Sequence, residues 1–392
     1  MAIVVEQVRS LRVVHVAADV SNRVIDMPIG RQQQKRYYGN RTLPKSGPMK
    51  CALLVLASAV CLASATDRKA VDEANAGLAL ARDGKYQLAI PHYRAAIALD
   101  PRLPGIFLNL GLAYFKLNRF SDAAAAFEQA TKADPAGFQP RVLLGMSYYG
   151  CRRFDAAAVE LKQAMAEQPD NLELRYKLAQ SYLWSKQYQN AIEEFRALLV
   201  KDPDSAHVHL LLGEVLDAAN QAEAATAEFE AAVKAKAPEL EAHFGLGYLY
   251  WKQKRYPDAA REFQAELADQ PHHTQALTYL GDAEMHNGDD KAAVEHLRLA
   301  LRFDAAIRLA HLDLGIILSA GGDSAEAARH LREAIRLDLA RPDAHYRLGR
   351  LLRTMGREQE AQAEFAKVKE LAKEEPPPPL IQVPGRKNEL QP

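Results

Sequence analysis

Four histidines recur on a fixed interval: His209, His243, His311 and His345 all fall on one 34-residue grid. Imidazole nitrogen is the commonest protein ligand for zinc, with bonds of about 2 Å. Helices that pack side by side lie about 8–10 Å apart. A metal shared by His209 and His243 would therefore need both rings to reach inward, with a carboxylate to help. No metal site is expected from that spacing. His272-His273 follows Pro271 and reads as a solvated loop pair. The cysteines are Cys51, Cys61 and Cys151. Cys151 stands at a turn with no base nearby in sequence to make it a nucleophile. The chain has no G-x-S-x-G, no P-loop, no H-E-x-x-H and no C-x-x-C. No catalytic residue and no cofactor is expected, and the chain does not read as an enzyme.

The elements that carry these histidines repeat with them. Glycine occupies positions 77, 111, 145, 213, 247, 281, 315 and 349, with Ala179 in the single gap. Twelve residues after each grid point stands an alanine, from Ala89 and Ala123 through to Ala361. Four residues later comes a large apolar side chain: Tyr93, Phe127, Leu161, Phe195, Phe229, Phe263, Leu297, Leu331 and Phe365. Pro101, Pro135, Pro169, Pro203 and Pro271 close units. Turn formers such as Asp83-Gly84, Asn287-Gly288 and Gly321-Gly322 split each unit in two. Small residues let helices approach, and proline ends them. Each unit therefore reads as a helix, a short turn and an antiparallel helix. One such pair buries too little apolar surface to stand alone, so neighbours must stack. The histidines take the fourth place of their units, where they are expected to pack between helices.

The pattern resembles the tetratricopeptide repeat family. Its Leu-Gly-x-x-Tyr…Ala-x-x-x-Phe…Pro signature is matched by Leu110, Gly111, Tyr114, Ala123, Phe127 and Pro135. Leu246, Gly247, Tyr250, Ala259, Phe263 and Pro271 match it again. The family's tryptophan at the fourth place is missing throughout. The resemblance implies an all-α fold, a right-handed α-solenoid of nine helix-turn-helix repeats over residues 70–375, starting at 70, 104, 138, 172, 206, 240, 274, 308 and 342. In that family the first helices line a concave groove through their second, fifth, ninth, twelfth and thirteenth residues. Carried over, the ligand-binding residues are Leu108, Leu112, Phe115, Met146, Tyr149, Tyr176, Leu183, Trp184, Phe244, Tyr248 and Trp251, with Val142 beside them. The groove is also expected to carry Glu214 and Asp217 in the fifth repeat and Arg350 and Arg353 in the ninth. The clamp by which chaperone-binding members hold a C-terminal carboxylate is not expected. Asn75 and Asn109 are present, but Ala74, Leu78, Gln139 and Leu143 stand where its companions belong.

Outside the repeats, residues 49–65 read as a signal peptide. Lys50 precedes an uncharged run, Cys51 to Thr66, that ends in Ala63-Ser64-Ala65. The run is shorter than the roughly 20 residues a membrane-spanning helix needs. Residues 1–48 lack helical periodicity and read as a non-native or disordered extension upstream of a start at Met49. Residues 376–392 open with four prolines and read as a disordered tail. The expected location is periplasmic or extracellular.

Fifty basic and fifty acidic residues balance over the 392-residue chain. Residues 1–65 hold nine Lys/Arg and three Asp/Glu, so the remainder carries 41 basic and 47 acidic side chains, net −6. A mildly acidic chain is poorly suited to nucleic acid or an anionic membrane. With 48% hydrophobic and 26% charged residues it reads as folded rather than disordered. The expected partner is a protein or peptide segment, and the expected role is a scaffold. The alternative is a regulatory or substrate-recruiting subunit of a cell-envelope enzyme or assembly complex.

Overall fold

The computed structural model describes residues 52–235 and 241–372. The expected extension 1–48 and tail 376–392 lie outside the described residues. Among those described are eighteen α-helices and no strand. They follow one another as pairs: α1 (Ala52–Arg82) and α2 (Tyr86–Leu99), α3 (Ile106–Lys116) and α4 (Phe120–Ala133), α5 (Phe138–Gly150) and α6 (Phe154–Glu167), α7 (Leu172–Trp184) and α8 (Tyr188–Lys201), α9 (Ala206–Ala218) and α10 (Ala222–Lys234). The series continues with α11 (Ala242–Lys252) and α12 (Tyr256–Asp269), α13 (Thr274–Asn287) and α14 (Asp290–Phe303), α15 (Arg308–Ala320) and α16 (Ser324–Leu337), α17 (Pro342–Thr354) and α18 (Glu358–Leu371). This is an all-α helical-repeat solenoid. The backbone of the A-x-A segment continues without a break into the first repeat as α1. The molecule divides into two compact units between Glu194 and Phe195.

The grid residues build the core. All nine grid alanines, Ala89 to Ala361, are fully buried. The glycines of the eighth place lie under the large residue of the twenty-fourth place of the same repeat. A Cβ on Gly111 would stand 2.5 Å from the Phe127 ring, and one on Gly281 2.6 Å from Leu297. Those distances are inside van der Waals contact, so a side chain at either glycine would force the ring or the leucine away. The large residue thus fills the space between the two helices of its own repeat. Phe229 also reaches the next repeat, since a Cβ on Gly213 of its own repeat or on Gly245 of the next would strike its ring.

The turn inside each repeat is equally regular. Gly84, Asn118, Arg152, Lys186, Asn220, Lys254, Gly288, Gly322 and Gly356 all have positive φ, between 57° and 88°. The amide one residue further on donates back five residues, as from Arg119 to the Tyr114 carbonyl (2.9 Å) and from Arg255 to that of Tyr250 (2.8 Å). That bond satisfies a helix-end carbonyl and reverses the chain. The last helix ends the array as a polar cap: within α18 only Ala361 is buried.

Candidate binding face on the first helices

In seven of the nine repeats the fourth place carries a polar side chain that ties the two helices together. His209 Nδ1 lies 2.6 Å from Glu228 Oε2, His243 Nδ1 2.7 Å from Glu262 Oε2, and His345 Nδ1 2.6 Å from Glu364 Oε2. Arg175 Nη1 donates to Glu194 Oε2 at 2.6 Å, and Arg141 Nη1 to Glu160 Oε2 at 3.3 Å. Repeat one reverses the pair, with Glu73 to His92 Nδ1 at 2.7 Å. Repeat eight replaces it by His311 and His330, 2.9 Å apart at Nδ1. Each pair joins the two helices of a repeat across 19 residues. Several side chains also reach back to the preceding repeat: Arg175 Nη2 donates to the Pro169 carbonyl (2.8 Å), and His209 Nε2 lies 2.9 Å from that of Pro203. These histidines are structural ties rather than tryptophan-like packing residues. Among the described residues no group of three or more His, Cys, Asp and Glu is placed to hold a metal. Cys151 Sγ donates to the Ser147 carbonyl at 2.9 Å, and burial pushes its thiol pKa up, opposite to what a nucleophile needs.

In the N-terminal unit the eight expected groove residues divide by burial. Leu112, Phe115, Met146 and Leu183 are buried, as is Val142. Leu108, Tyr149, Tyr176 and Trp184 are half-buried. The buried ones contact the interior because a first helix packs against both its own partner helix and the next repeat. Phe115, for instance, meets Phe120 edge to face at 5.4 Å. Tyr149 meets Phe154 edge to face at 5.3 Å, and Phe154 in turn lies 6.2 Å from Trp184. Beside them is Lys177, buried at 7% exposure. Its Nζ lies 5.1 Å from the Tyr149 ring centre and 5.3 Å from that of Tyr176. It donates to Gln180 Oε1 at 2.9 Å, which also accepts from the Tyr149 hydroxyl at 3.4 Å. Gln180 Nε2 donates to the Tyr176 hydroxyl at 2.8 Å.

In the C-terminal unit Phe244 is buried, while Tyr248 and Trp251 are half-buried. Tyr248 stacks on Trp251 at 5.8 Å, and both meet Tyr279 edge to face, at 5.3 and 4.9 Å. The indole Nε1 of Trp251 donates to Asp282 Oδ1. Asp282 is hydrogen-bonded in turn to Asp313. Burial raises the pKa of Asp282, and it raises that of the fully buried Asp313 well above the usual carboxylate value. Of the expected charges, Asp217 is bridged by Lys252, Arg350 lies over the Tyr346 ring and Arg353 over Phe365.

Family models described as tetratricopeptide repeat match residues 108–171, 210–268, 244–306 and 312–376, and also 152–215; one described as TPR repeat matches 77–118. The chain belongs to the tetratricopeptide repeat family. Its fold is similar to that of the C-terminal part of a TPR repeat-containing protein from Cytophaga hutchinsonii, with a TM-score of 0.51 at 14% identity over 61% of this chain and 98% of that one. A tetratricopeptide repeat protein from Parabacteroides merdae gives 0.47 at 14% identity, over 63% and 97% of the two chains. YrrB, described as a TPR protein with an unusual peptide-binding site, gives 0.41 at 20% identity, over 47% and 95%. No curated protein matches the chain.

Tetratricopeptide numbering also shows what five groove positions overlook. Lys177 and Tyr279 occupy the sixth place of their repeats, outside those five, whereas Gln180 and Asp282 stand at the ninth, which is one of them. The sixth place contributes to the same face by reaching between neighbouring first helices. A lysine there, directly after Tyr176, was the available signal.

Proposed function

We propose that this protein is a non-enzymatic scaffold that holds an extended peptide or protein segment along the first-helix faces of its repeats. The observation that carries this is the set of half-buried aromatic residues on those faces: Tyr149, Tyr176 and Trp184 in one unit, Tyr248 and Trp251 in the other. Tyrosine and tryptophan offer large contact area with few rotors, and they anchor interfaces more often than other residues. Their rings are held in place before a partner arrives, by Gln180 at Tyr176 and by Asp282 at Trp251, which lowers the ordering cost of binding. Leu112, Phe115, Met146, Leu183 and Phe244 support this face from beneath.

The test is a chain with Trp184, Tyr248 and Trp251 replaced by glutamine. Anchors of this kind lose about 2 kcal/mol or more of binding on truncation, so partners retained by the wild-type chain from a native extract should be lost. Helical circular dichroism should be nearly unchanged. A variant that stays folded and keeps every partner refutes the proposal, and so does one that unfolds, because its aromatics are then core.

We further propose that the scaffold works outside the cytoplasm, exported by residues 49–65. Support comes from the apolar run and its Ala63-Ser64-Ala65 end. Among the described residues no helix is long and apolar enough to cross a membrane. Peptide mapping of the natural protein should begin at Thr66. Abundant peptides from residues 12–41 would overturn a start at Met49.

A further inference from the structure

Lysine is rarely buried without a carboxylate beside it, since desolvating an ammonium is costly. Lys177 is 7% exposed. Its ammonium has three donors, and among the described residues one hydrogen-bond acceptor meets them, the neutral Gln180 Oε1. Two phenol rings stand beside it and supply weaker cation–π attraction. Carboxylates are present in the same repeat but committed elsewhere or remote. Glu194 is taken by Arg175 at 2.6 Å. Glu173 is exposed and acts on Lys177 only through its distant charge.

Desolvation by this burial lowers the Lys177 pKa to about 8. Lys116, at the thirteenth place of repeat two, shows the same signature: burial lowers its pKa, and it makes no ion pair among the described residues. A methionine would fill the place of Lys177 at lower cost to folding. The fold thus carries a desolvated cation that it does not neutralise. It sits among Tyr149 and Tyr176, the half-buried aromatics of the binding face, in a chain whose overall balance beyond residue 65 is acidic.

We propose that Lys177 is the centre of an acidic subsite, and that the segment bound by this protein places a glutamate or aspartate side chain against its ammonium, between the rings of Tyr149 and Tyr176. The proposal rests on the peptide-binding function above and names the chemistry of the partner at one point. The carboxylate supplies the acceptor that the spare N–H groups lack. A charge-assisted hydrogen bond in a desolvated pocket is stronger than one in water.

The experiment uses the full chain and a displayed library of random 12-residue peptides with blocked C-termini. Selected binders are resynthesised as amides, once as found and once with each Glu or Asp changed to Gln or Asn. Binding is read from the fluorescence anisotropy of a dye on the peptide. One acidic position is expected to recur, and its amide counterpart should bind at least about tenfold more weakly. In Lys177→Met, with its helical circular dichroism intact, acid and amide peptides should bind alike. Lys177→Met that fails to fold is replaced by Lys177→Gln in the same cycle. Binders without an acidic preference overturn the subsite and leave the peptide groove standing, as does an acid preference that survives both substitutions. A library that yields no binder overturns the groove and the subsite together. Peptides that bind only with a free C-terminus also count against a side-chain carboxylate.

Discussion

Phe229→Ala should destabilise the C-terminal unit by about 3–5 kcal/mol. The ring is 3% exposed and lies on the glycine of its own repeat, Gly213, and on Gly245 of the next. Removing it leaves a cavity that those glycines have no side chains to fill. Coupling in repeat arrays is mainly between neighbours. Hydrogen exchange should therefore accelerate most in α9 to α12 and least in α17 and α18. The complementary substitution, Gly245→Val, drives a side chain into the same ring and should lose stability by overpacking. Equal acceleration along the whole unit, or a loss below about 1 kcal/mol, would show that Phe229 does not join the two repeats.

Lys177→Met should make the protein more stable at neutral pH, by about 3 kcal/mol. In the unfolded chain a lysine keeps its proton to about pH 10.4. In the folded chain the Lys177 pKa is lowered to about 8 by burial. Between those values the unfolded state binds more protons, so raising the pH stabilises the fold. Below pH 8 the full penalty of the buried charge applies. The difference between Lys177→Met and wild type should thus be largest at pH 7 and nearly vanish at pH 10.5. Urea unfolding at the two pH values measures it. A variant less stable than wild type at pH 7 would mean that the ammonium is satisfied in the fold.

The 34-residue architecture was open to reading from side-chain size alone. Gly111 under Phe127 and Ala123 beside them are steric requirements, and a steric requirement recurs in sequence at the same place. The ties at the fourth place were harder to see. A histidine says little about its partner, and Glu228 or Glu262 lies 19 residues away on the opposing helix. Aligning the twenty-third places would have revealed them, since Glu160, Glu194, Glu228, Glu262 and Glu364 stand there in register. The binding face was legible as a set of positions but not as a surface. Phe115 and Met146 occupy groove positions and yet are buried by the next helix, whereas Tyr149 and Trp184 remain half-exposed. Which side of a helix its neighbour covers depends on how far one repeat rotates against the next, and no local sequence signal states that angle.

Within each unit the helices pack in chain order, α3 on α4, α4 on α5, and first helices of adjacent repeats such as α11 and α13 touch. Such an arrangement closes only short loops. Low contact order of this kind goes with rapid folding that can nucleate in any repeat and spread outward. A chain released gradually, from a ribosome or through a translocation pore, would not have to wait for its last residue. Once two consecutive repeats have emerged, the side chains that bury Phe127 or Phe263 are already present. Apolar surface awaiting a partner is then limited to the growing end. The polar helix α18 closes that end, so an array cut short before Glu358 would keep an adhesive face open.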